Sequence, residues 1–441
     1  MNITFIGGIG LVIYRILLDL VYFNIISPIY AYSGFIDNRT AYAGVVSWML
    51  LASSFFLIKD LLFTNQEGVS HIIISLLYLL SFVPFTSCVY SGIAQGSFIV
   101  CNSIYWLILI VCAKYIVRKP QNPLSPIKVG YIIINDQFVM CIGLLSLFVV
   151  VFVSGRYTHF RLNFDLFSVY NLRLAAREYR LGTLLSYAFA WTKAINTVLF
   201  AYCLINRRYI YAILFFGIQM LSFGVDGSKS TFFLPFVVLF SFFFCKKMSM
   251  CGLKLFFLYG AIGGTLVALV EYYVKHTYIL STLFIRRVLF VPSLLNVNYY
   301  DFFTKHEPDY FRGSFLRHFG FNSPYSADAG ISRMIGRIYY NSPTMNCNSG
   351  LISDAISNLG YAGVAFMPIF IVMFLYLLDR SAKGLDRRLL LVSAVYSSLA
   401  IIGTTFTTVL LTHGLLIIIF VVWMMQPKCC ENNIKEVQGY S

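Results

Sequence analysis

The chain has 441 residues, of which 59% are hydrophobic, 17% are aromatic and only 12% are charged. This composition excludes a soluble globular protein of that length and is typical of a helical membrane protein. The formal net charge of +15 does not indicate a nucleic-acid partner, because the cytoplasmic loops of membrane proteins collect Lys and Arg.

Apolar runs of membrane-spanning length recur along the whole chain, which predicts an all-α polytopic membrane protein. We expect a single integral membrane domain over residues 1–441, with about twelve transmembrane helices. The expected spans are 5–27, 42–58, 71–90, 97–116, 129–153, 184–205, 209–225, 229–245, 253–274, 351–378, 388–406 and 409–426.

The Lys and Arg residues of the connections predict how these helices are oriented. The even connections and the C-terminal tail hold sixteen of them, whereas the short odd connections hold only Arg39 and Lys229. Because basic residues accumulate in cytoplasmic loops, both termini are expected on the cytoplasmic side, including the tail at 427–441.

The first span contains Arg15 and Asp19, which lie one helical turn apart. Side chains at i and i+4 can pair, and pairing lowers the cost of burying either charge in a membrane. Such pairs are more often structural than catalytic. We therefore expect a structural role for this pair.

The first long odd connection, 155–183, is expected on the periplasmic side. It contains a predicted amphipathic helix, from which Arg173, Arg177 and Arg180 project on one face. Several guanidinium groups on one face suit the oxygens of a diphosphate. Contact with solvent or with anionic lipid headgroups is the equally open alternative.

The seventh and eighth spans are separated only by Gly224-Val-Asp-Gly-Ser-Lys-Ser230. The stretch from Tyr209 to Cys245 is hardly long enough for two full spans of about 20 residues each. The turn is therefore expected below the outer membrane surface, where Asp226 and Lys229 line a water-filled cavity. In the alternative interpretation these two residues only neutralise each other.

The second long odd connection, 275–350, is unusually basic for a loop expected on the periplasmic side. Between residues 275 and 348 it holds eight Lys or Arg and four acidic residues. Since basic residues are disfavoured on that side, their retention indicates an anionic ligand. Leu280 to Leu295 is predicted to form an interfacial helix with Arg286 and Arg287 on its polar side.

Further along this loop, Asp328 is expected to start a short helix. In that helix Arg333, Arg337 and Tyr340 share one face at i, i+4 and i+7. His318, beside Arg317, is either a proton acceptor or a solvated side chain.

At the start of the tenth span, Asn348 or Ser349 is a plausible N-cap, and the free N–H groups there could receive an anion. Asp354 and Asn358 follow, one helical turn apart. Asp354 either takes part in chemistry or simply suits the dipole of its helix.

Four stretches together resemble the Wzy-type O-antigen polymerases, which are bacterial inner-membrane glycosyltransferases. They are Arg15-Ile-Leu-Leu-Asp-Leu-Val-Tyr22 with Ile26-Ser-Pro28; Gly227-Ser-Lys-Ser230; Arg286-Arg-Val-Leu-Phe-Val-Pro-Ser293 with Tyr299-Tyr-Asp-Phe-Phe303; and Asn348-Ser-Gly350 with Asp354 and Gly360-Tyr-Ala-Gly363. The helix count and the two long outer loops also match, so the resemblance covers nearly the whole chain.

The resemblance implies a GT-C-like architecture shared with the O-antigen ligases, and an active site facing the periplasm. Donor and acceptor are then oligosaccharide repeat units on undecaprenyl diphosphate. The growing glycan is transferred from its lipid diphosphate to the terminal sugar of a new unit. Membrane lipids and a chain-length regulator protein are further expected partners, and no cofactor, metal ion or nucleic acid is expected.

The resemblance also suggests roles for individual residues. Cations placed where negative charge develops ease the departure of a lipid diphosphate. The candidates are Arg173, Arg177, Arg180, Lys229, Arg333 and Arg337, with Arg286 and Arg287 assigned to the catalytic group. Asp354 is the first choice for the base that accepts the proton of the acceptor hydroxyl, and His318 is the second. The residues expected to bind sugars are Tyr339, Tyr340, Asn346 and Asn348.

Two other functions stay open. An O-antigen ligase-like transferase is the first, although the segment just before Gly360 offers Asn346, Asn348 and Ser349 but no His for the ligases' outer-loop His-Asn/Ser signature. A flippase or transporter of lipid-linked oligosaccharide is the second. A transporter is expected to concentrate charge within its spans and often to contain internal repeats. This chain instead carries its unusual charge in two outer loops.

Overall fold

A computed structural model describes residues 3–66, 68–118, 124, 128–129, 132–133, 136–162, 172, 175–176, 178–314, 316–328 and 330–425. Its helices are α1 (Ile3–Ser33), α2 (Ala41–Leu62), α3 (Val69–Tyr90), α4 (Gly96–Arg118), α5 (Asp136–Thr158), α6 (Thr183–Ile205), α7 (Tyr209–Asp226), α8 (Lys229–Phe244), α9 (Met250–Lys275), α10 (Ser281–Phe290), α11 (Val291–Phe303), α12 (Ile331–Tyr340), α13 (Ile352–Ser381), α14 (Arg387–Gly403) and α15 (Phe406–Met424).

Within these described residues, ten helices are long and apolar enough to cross a membrane, and each lies over an expected span. The protein is therefore a multi-pass helical membrane protein. The two remaining expected spans, 229–245 and 388–406, coincide with α8 and α14, which have only 16 and 17 residues.

The expected start of the fifth span at residue 129 was wrong. Two short antiparallel strands, β1 (Lys128–Val129) and β2 (Ile132–Ile133), pair there, with Lys128 opposite Ile133. Helix α5 begins only at Asp136. The run over 129–134 contains the β-branched residues Val and Ile. Hydrophobic periodicity alone does not distinguish a short apolar strand of this kind from the start of a buried helix.

The Cα positions divide the chain into two compact units. Unit 1 comprises Met1–Lys119, Ser249–Phe374 and Ser398–Val409. Unit 2 comprises Pro120–Met248, Leu375–Ser397 and Leu410–Ser441.

Three helical segments of unit 1 adopt the wide π-helical form, and a proline follows each of them closely. The segments are Tyr22–Ile26 before Pro28, Tyr78–Phe82 before Pro84, and all of α10 before Pro292. A proline ring clashes with the carbonyl four residues earlier and has no N–H to donate. Widening the preceding turn relieves that clash without ending the helix.

Arg15 joins the first three helices of unit 1. Its side chain is 0% exposed and pairs with Asp19 on the same helix. Its Nε donates to the Thr86 hydroxyl at 2.7 Å, and its Nη2 donates to the Ser47 hydroxyl at 3.3 Å. One guanidinium thus connects α1, α2 and α3, in agreement with the structural interpretation of the pair.

Helix α13 is interrupted at Gly360, where φ is 59° and ψ is −145°. Almost only glycine adopts this conformation. A Cβ at this position would also lie 3.2 Å from the ring of Pro308. The break separates the first turns of α13, which contact the polar segment 275–350, from the longer apolar part of the helix.

Replacing Gly360 with Ala is expected to lower the free energy of unfolding by about 1–3 kcal/mol, because alanine is strained in this conformation. Thermal unfolding of the detergent-solubilised protein measures the change. Gly217→Ala is the matched control, since a Cβ on Gly217 meets no described atom within 4 Å. Equal unfolding temperatures for Gly360→Ala and the wild type would contradict the expectation.

Candidate functional site

The polar segment between α9 and α13 begins at a point fixed by Glu271. The Glu271 carboxylate accepts hydrogen bonds from the backbone N–H of Ile279 at 2.9 Å and of Leu280 at 2.8 Å. The first N–H groups of a helix have no partner inside that helix. Glu271 therefore sets where α10 begins, and with it the position of Arg286 six residues after Leu280.

Arg286 stacks on the ring of Tyr30 near the end of α1, with its guanidinium carbon 4.1 Å from the ring centroid. The Tyr30 and Thr282 hydroxyl groups share a hydrogen bond of 2.6 Å, which joins α1 to α10. The Nε of Arg286 is buried and has no hydrogen-bond partner among the described residues. A buried, unpaired N–H on a cation is costly, and an anionic oxygen would satisfy it.

Arg287 is exposed on the same helix, so the two neighbouring arginines have different surroundings. Arg286 is held in place by Tyr30, whereas Arg287 is accessible to solvent or to lipid headgroups. The predicted interfacial helix is confirmed as a helix, and it continues beyond Leu295 as α11 to Phe303.

Helix α12 positions a second predicted arginine. The Nε of Arg333 donates to the side-chain oxygen of Asn346 at 3.3 Å, so the fold brings together two residues that we predicted for substrate binding. Arg337 and Asn348 are exposed.

The expected start of this helix at Asp328 was wrong. Asp328 ends a preceding 3-10 turn, Ser326–Asp328, and α12 begins at Ile331 after Gly330. The residue directly before α12 is Gly330, whose φ of 110° is a backbone conformation that aspartate rarely adopts. An aspartate would not suit that position, and an acidic residue near an apolar run is a weak indicator of where a helix begins.

The two predicted tyrosines of α12 contact α11. The Tyr339 hydroxyl donates to Asp301 Oδ2 at 2.6 Å, and Lys305 Nζ is 2.5 Å from Asp301 Oδ1. The hydrogen bonds from Lys305 and Tyr339 hold the pKa of Asp301 below its usual value. The Tyr340 hydroxyl accepts from the side-chain amide of Asn298 at 3.0 Å.

Burial raises the pKa of Tyr340 to about 12, and burial followed by the Asp301 carboxylate raises that of Tyr339. Both phenols therefore stay protonated at neutral pH. They are suited to hydrogen bonding with neutral hydroxyl groups and are unsuited to proton abstraction.

Asp354 is 1% exposed, and both of its carboxylate oxygens are occupied by protein groups. Oδ1 accepts from the side-chain amide of Asn358 at 2.7 Å, and Oδ2 accepts from the backbone N–H of Phe406 at 2.7 Å. Phe406 is the first residue of α15, so Asp354 satisfies a free N–H at the start of another helix. These contacts favour a structural role.

Asn358 connects the polar segment to α13. Its side-chain oxygen accepts from the N–H of Phe311 at 3.1 Å, and its carbonyl accepts from the N–H of Tyr310 at 3.0 Å. The N–H of Asp309 donates to the Ser357 carbonyl at 2.7 Å. Residues 309–311 are thereby fixed to the first turns of α13, just before the break at Gly360.

The predicted cap at Asn348 or Ser349 was wrong, because α13 begins only at Ile352. The Ser349 hydroxyl donates to the side-chain oxygen of Asn296 at 3.0 Å, and the N–H of Gly350 donates to the carbonyl of Ile402. The Ser353 hydroxyl donates to the same Asn296 oxygen at 2.5 Å. These contacts fasten the segment before α13 to α11 and to the end of α14.

In unit 2, Asp226 at the end of α7 pairs with Lys193 of α6 and accepts a hydrogen bond from the N–H of Ser228 at 3.0 Å. Lys193 was not among the residues predicted from the sequence. A lysine inside an expected apolar span was the available signal, since such residues are rare and usually have a partner. Lys229 is half-buried at the start of α8.

The remaining residues predicted for the site lie in stretches that the structure describes only in part. Arg180 is exposed, and its carbonyl accepts from the Tyr157 hydroxyl at 3.2 Å. Arg173 and Arg177, with most of the amphipathic helix predicted around them, lie outside the described residues. His318 belongs to a 3-10 turn, Leu316–Phe319, and its side chain lies outside the described part of the chain.

Within the described ranges, no three His, Cys, Asp or Glu side chains are grouped closely enough to hold a metal ion. Comparison of the chain with protein-family models, with curated proteins and with solved structures finds no match.

Proposed function

We propose that this protein is a Wzy-type O-antigen polymerase with a GT-C-like architecture of about twelve spans. In this proposal both termini are cytoplasmic, and residues 155–183 and 275–350 are periplasmic loops of the bacterial inner membrane. The enzyme joins undecaprenyl-diphosphate-linked oligosaccharide repeat units during lipopolysaccharide biosynthesis. The observation that carries the proposal is Arg286, whose guanidinium is fixed on Tyr30 with its Nε buried and unpaired.

The reaction would form a bond between an acceptor sugar hydroxyl and the anomeric carbon of the donor. The bond from that carbon to the diphosphate oxygen breaks, and the lipid diphosphate leaves with the electron pair. Negative charge therefore grows on the leaving oxygen, where a fixed cation is most effective. Arg286 supports this role because its orientation is set before substrate binds, by Tyr30 and the start of α10.

The acceptor hydroxyl also loses a proton in this reaction. Asp354 is poorly placed to take it, because both of its oxygens already accept hydrogen bonds inside the protein. We therefore assign the base to His318, and the binding of sugar hydroxyls to Tyr339, Tyr340, Asn346, Asn348 and Arg333. The protonated phenols of α12 fit that second role.

Deleting the gene in its host tests the proposal. Lipopolysaccharide from the deletion strain is expected to carry a single repeat unit, because export and ligation of one unit continue without polymerisation. Gel electrophoresis of lipopolysaccharide measures this, with the complemented strain as the control. A wild-type ladder would refute the polymerase, and loss of every O-unit would favour a ligase or a flippase.

A further inference from the structure

An apolar groove of about 640 Å³ runs between α1 and α2 in unit 1. Its lining residues are Thr4, Phe5, Gly8, Ile9, Leu11, Val12, Ile13, Trp48, Leu51, Ala52, Phe55, Phe56 and Lys59. Its walls are open to the outside of the protein, since Phe5 and Phe56 are 59% and 66% exposed. Gly8 and Ala52 contribute little side chain of their own to the lining, and the ring of Phe55 lies against Gly8.

The length of the groove corresponds to one leaflet of a bilayer. The two helices run antiparallel, because Gly8 lies against Phe55 while Arg15 lies over Trp48. From Thr4 to Ile13 the groove follows nine helical steps, or about 14 Å. The hydrocarbon core of a bilayer is about 30 Å thick, so the groove spans about half of it.

A polar pocket of about 340 Å³ continues from the end of the groove, and Thr4 and Lys59 line both. Its other lining residues are Asp60, Leu61, Phe63, Thr64, Gln66 and Lys114. Lys114 forms an ion pair with Asp60 at 2.9 Å. The Lys59 ammonium lies 5.7 Å from the centroid of the Phe56 ring. The described lining residues therefore carry one positive charge beyond the Lys114–Asp60 pair.

We propose that the groove and the pocket together bind one anionic phospholipid. An acyl chain occupies the groove, and the phosphate lies at Lys59, within reach of Lys114 and the hydroxyls of Thr4 and Thr64. The chemistry is complementary, since an apolar groove about half as long as the hydrocarbon core is thick ends at a polar pocket whose described lining residues include two lysines and one aspartate. This site is independent of the proposed polymerase reaction.

Native mass spectrometry of the purified, delipidated protein tests the proposal. Dioleoyl-phosphatidylglycerol and dioleoyl-phosphatidylethanolamine are added in equal amounts, and the lipid retained per protein chain is measured. We expect the wild type to retain one phosphatidylglycerol in preference to phosphatidylethanolamine. Lys59→Gln should reduce that preference about fivefold, the effect of removing one basic residue near an anionic lipid.

Ala52→Phe should abolish retention of either lipid, because the added ring fills the groove. Ser53→Phe is the matched control, since Ser53 is exposed on the same helix and does not line the groove. Lys247→Gln controls for general loss of charge, because Lys247 is exposed in unit 2.

Three lipid-binding results would overturn the site. They are equal retention of the two lipids by the wild type, an Ala52→Phe variant that binds like Ser53→Phe, and an equal loss of preference in Lys247→Gln and Lys59→Gln. A dimer that dissociates in Ala52→Phe would assign the groove to a second copy of the chain and would also overturn it.

Discussion

Arg286→Ala is expected to reduce glycan transfer by about 10²–10³-fold, the usual cost of removing one group that stabilises developing negative charge. In cells, the variant should leave lipopolysaccharide with one or very few repeat units. The amount of protein in the membrane should stay near that of the wild type, because the guanidinium stacks on Tyr30 but leaves its Nε unpaired in the protein. Lipopolysaccharide gels, with immunoblots of a tagged chain, measure both quantities.

Two further variants separate the charge of Arg286 from its position. Arg286→Lys keeps a positive charge but loses the planar group that stacks on Tyr30, so a partial loss of transfer is expected. Tyr30→Phe keeps the ring and removes only the hydrogen bond to Thr282, so a smaller loss is expected.

Arg317→Ala is the matched control, because Arg317 is an exposed arginine of the same segment, and it should retain long chains. Long chains in the Arg286→Ala strain would remove this residue from the site.

Asp354→Ala is expected to cost about 2–6 kcal/mol in stability, because it leaves two buried donors without partners at about 1–3 kcal/mol each. The donors are the backbone N–H of Phe406 and the side-chain amide of Asn358. A loss of this size should show as a large drop in unfolding temperature in detergent and as reduced accumulation in cells.

The conservative variant Asp354→Asn distinguishes a structural role from a catalytic one. It keeps an acceptor for Phe406 and should lose less stability than Asp354→Ala. Asp37→Ala is the control, since the exposed pair of Asp37 with Arg39 contributes little. If Asp354→Asn folds like the wild type but fails to polymerise, the Asp354 carboxylate, rather than His318, would be the proposed base.

The membrane helices could be predicted because their signal is simple. A run of about 20 apolar residues is sufficient, and the ten long helices of the described residues coincide with expected spans. The local widening of α1, α3 and α10 was not predicted. Its signal was present in Pro28, Pro84 and Pro292, but a proline indicates only that a helix must adjust, not how.

The candidate site could be predicted less completely, because its contacts join distant parts of the chain. Arg286 was singled out from its charge and its place in the outer loop, yet its stacking partner Tyr30 lies in the first helix. Asp354 was identified as unusual, but its partner Phe406 depends on how α13 and α15 pack. Local sequence patterns indicate which side chains are costly to bury. Only the tertiary fold shows which groups offset the free-energy cost of burying them.

Because Arg15 is buried and its partners lie on three helices, the stability of this part of unit 1 depends on the order in which those helices are synthesised. A lone arginine in the middle of a membrane helix costs about 2.5–3.5 kcal/mol. Asp19 emerges with it, but the hydroxyl groups of Ser47 and Thr86 arrive only with the second and third helices. A nascent chain that ends before Thr86 therefore lacks part of the compensation for that charge. The first three helices consequently reach their full membrane stability as a set, after synthesis of the third, rather than one by one.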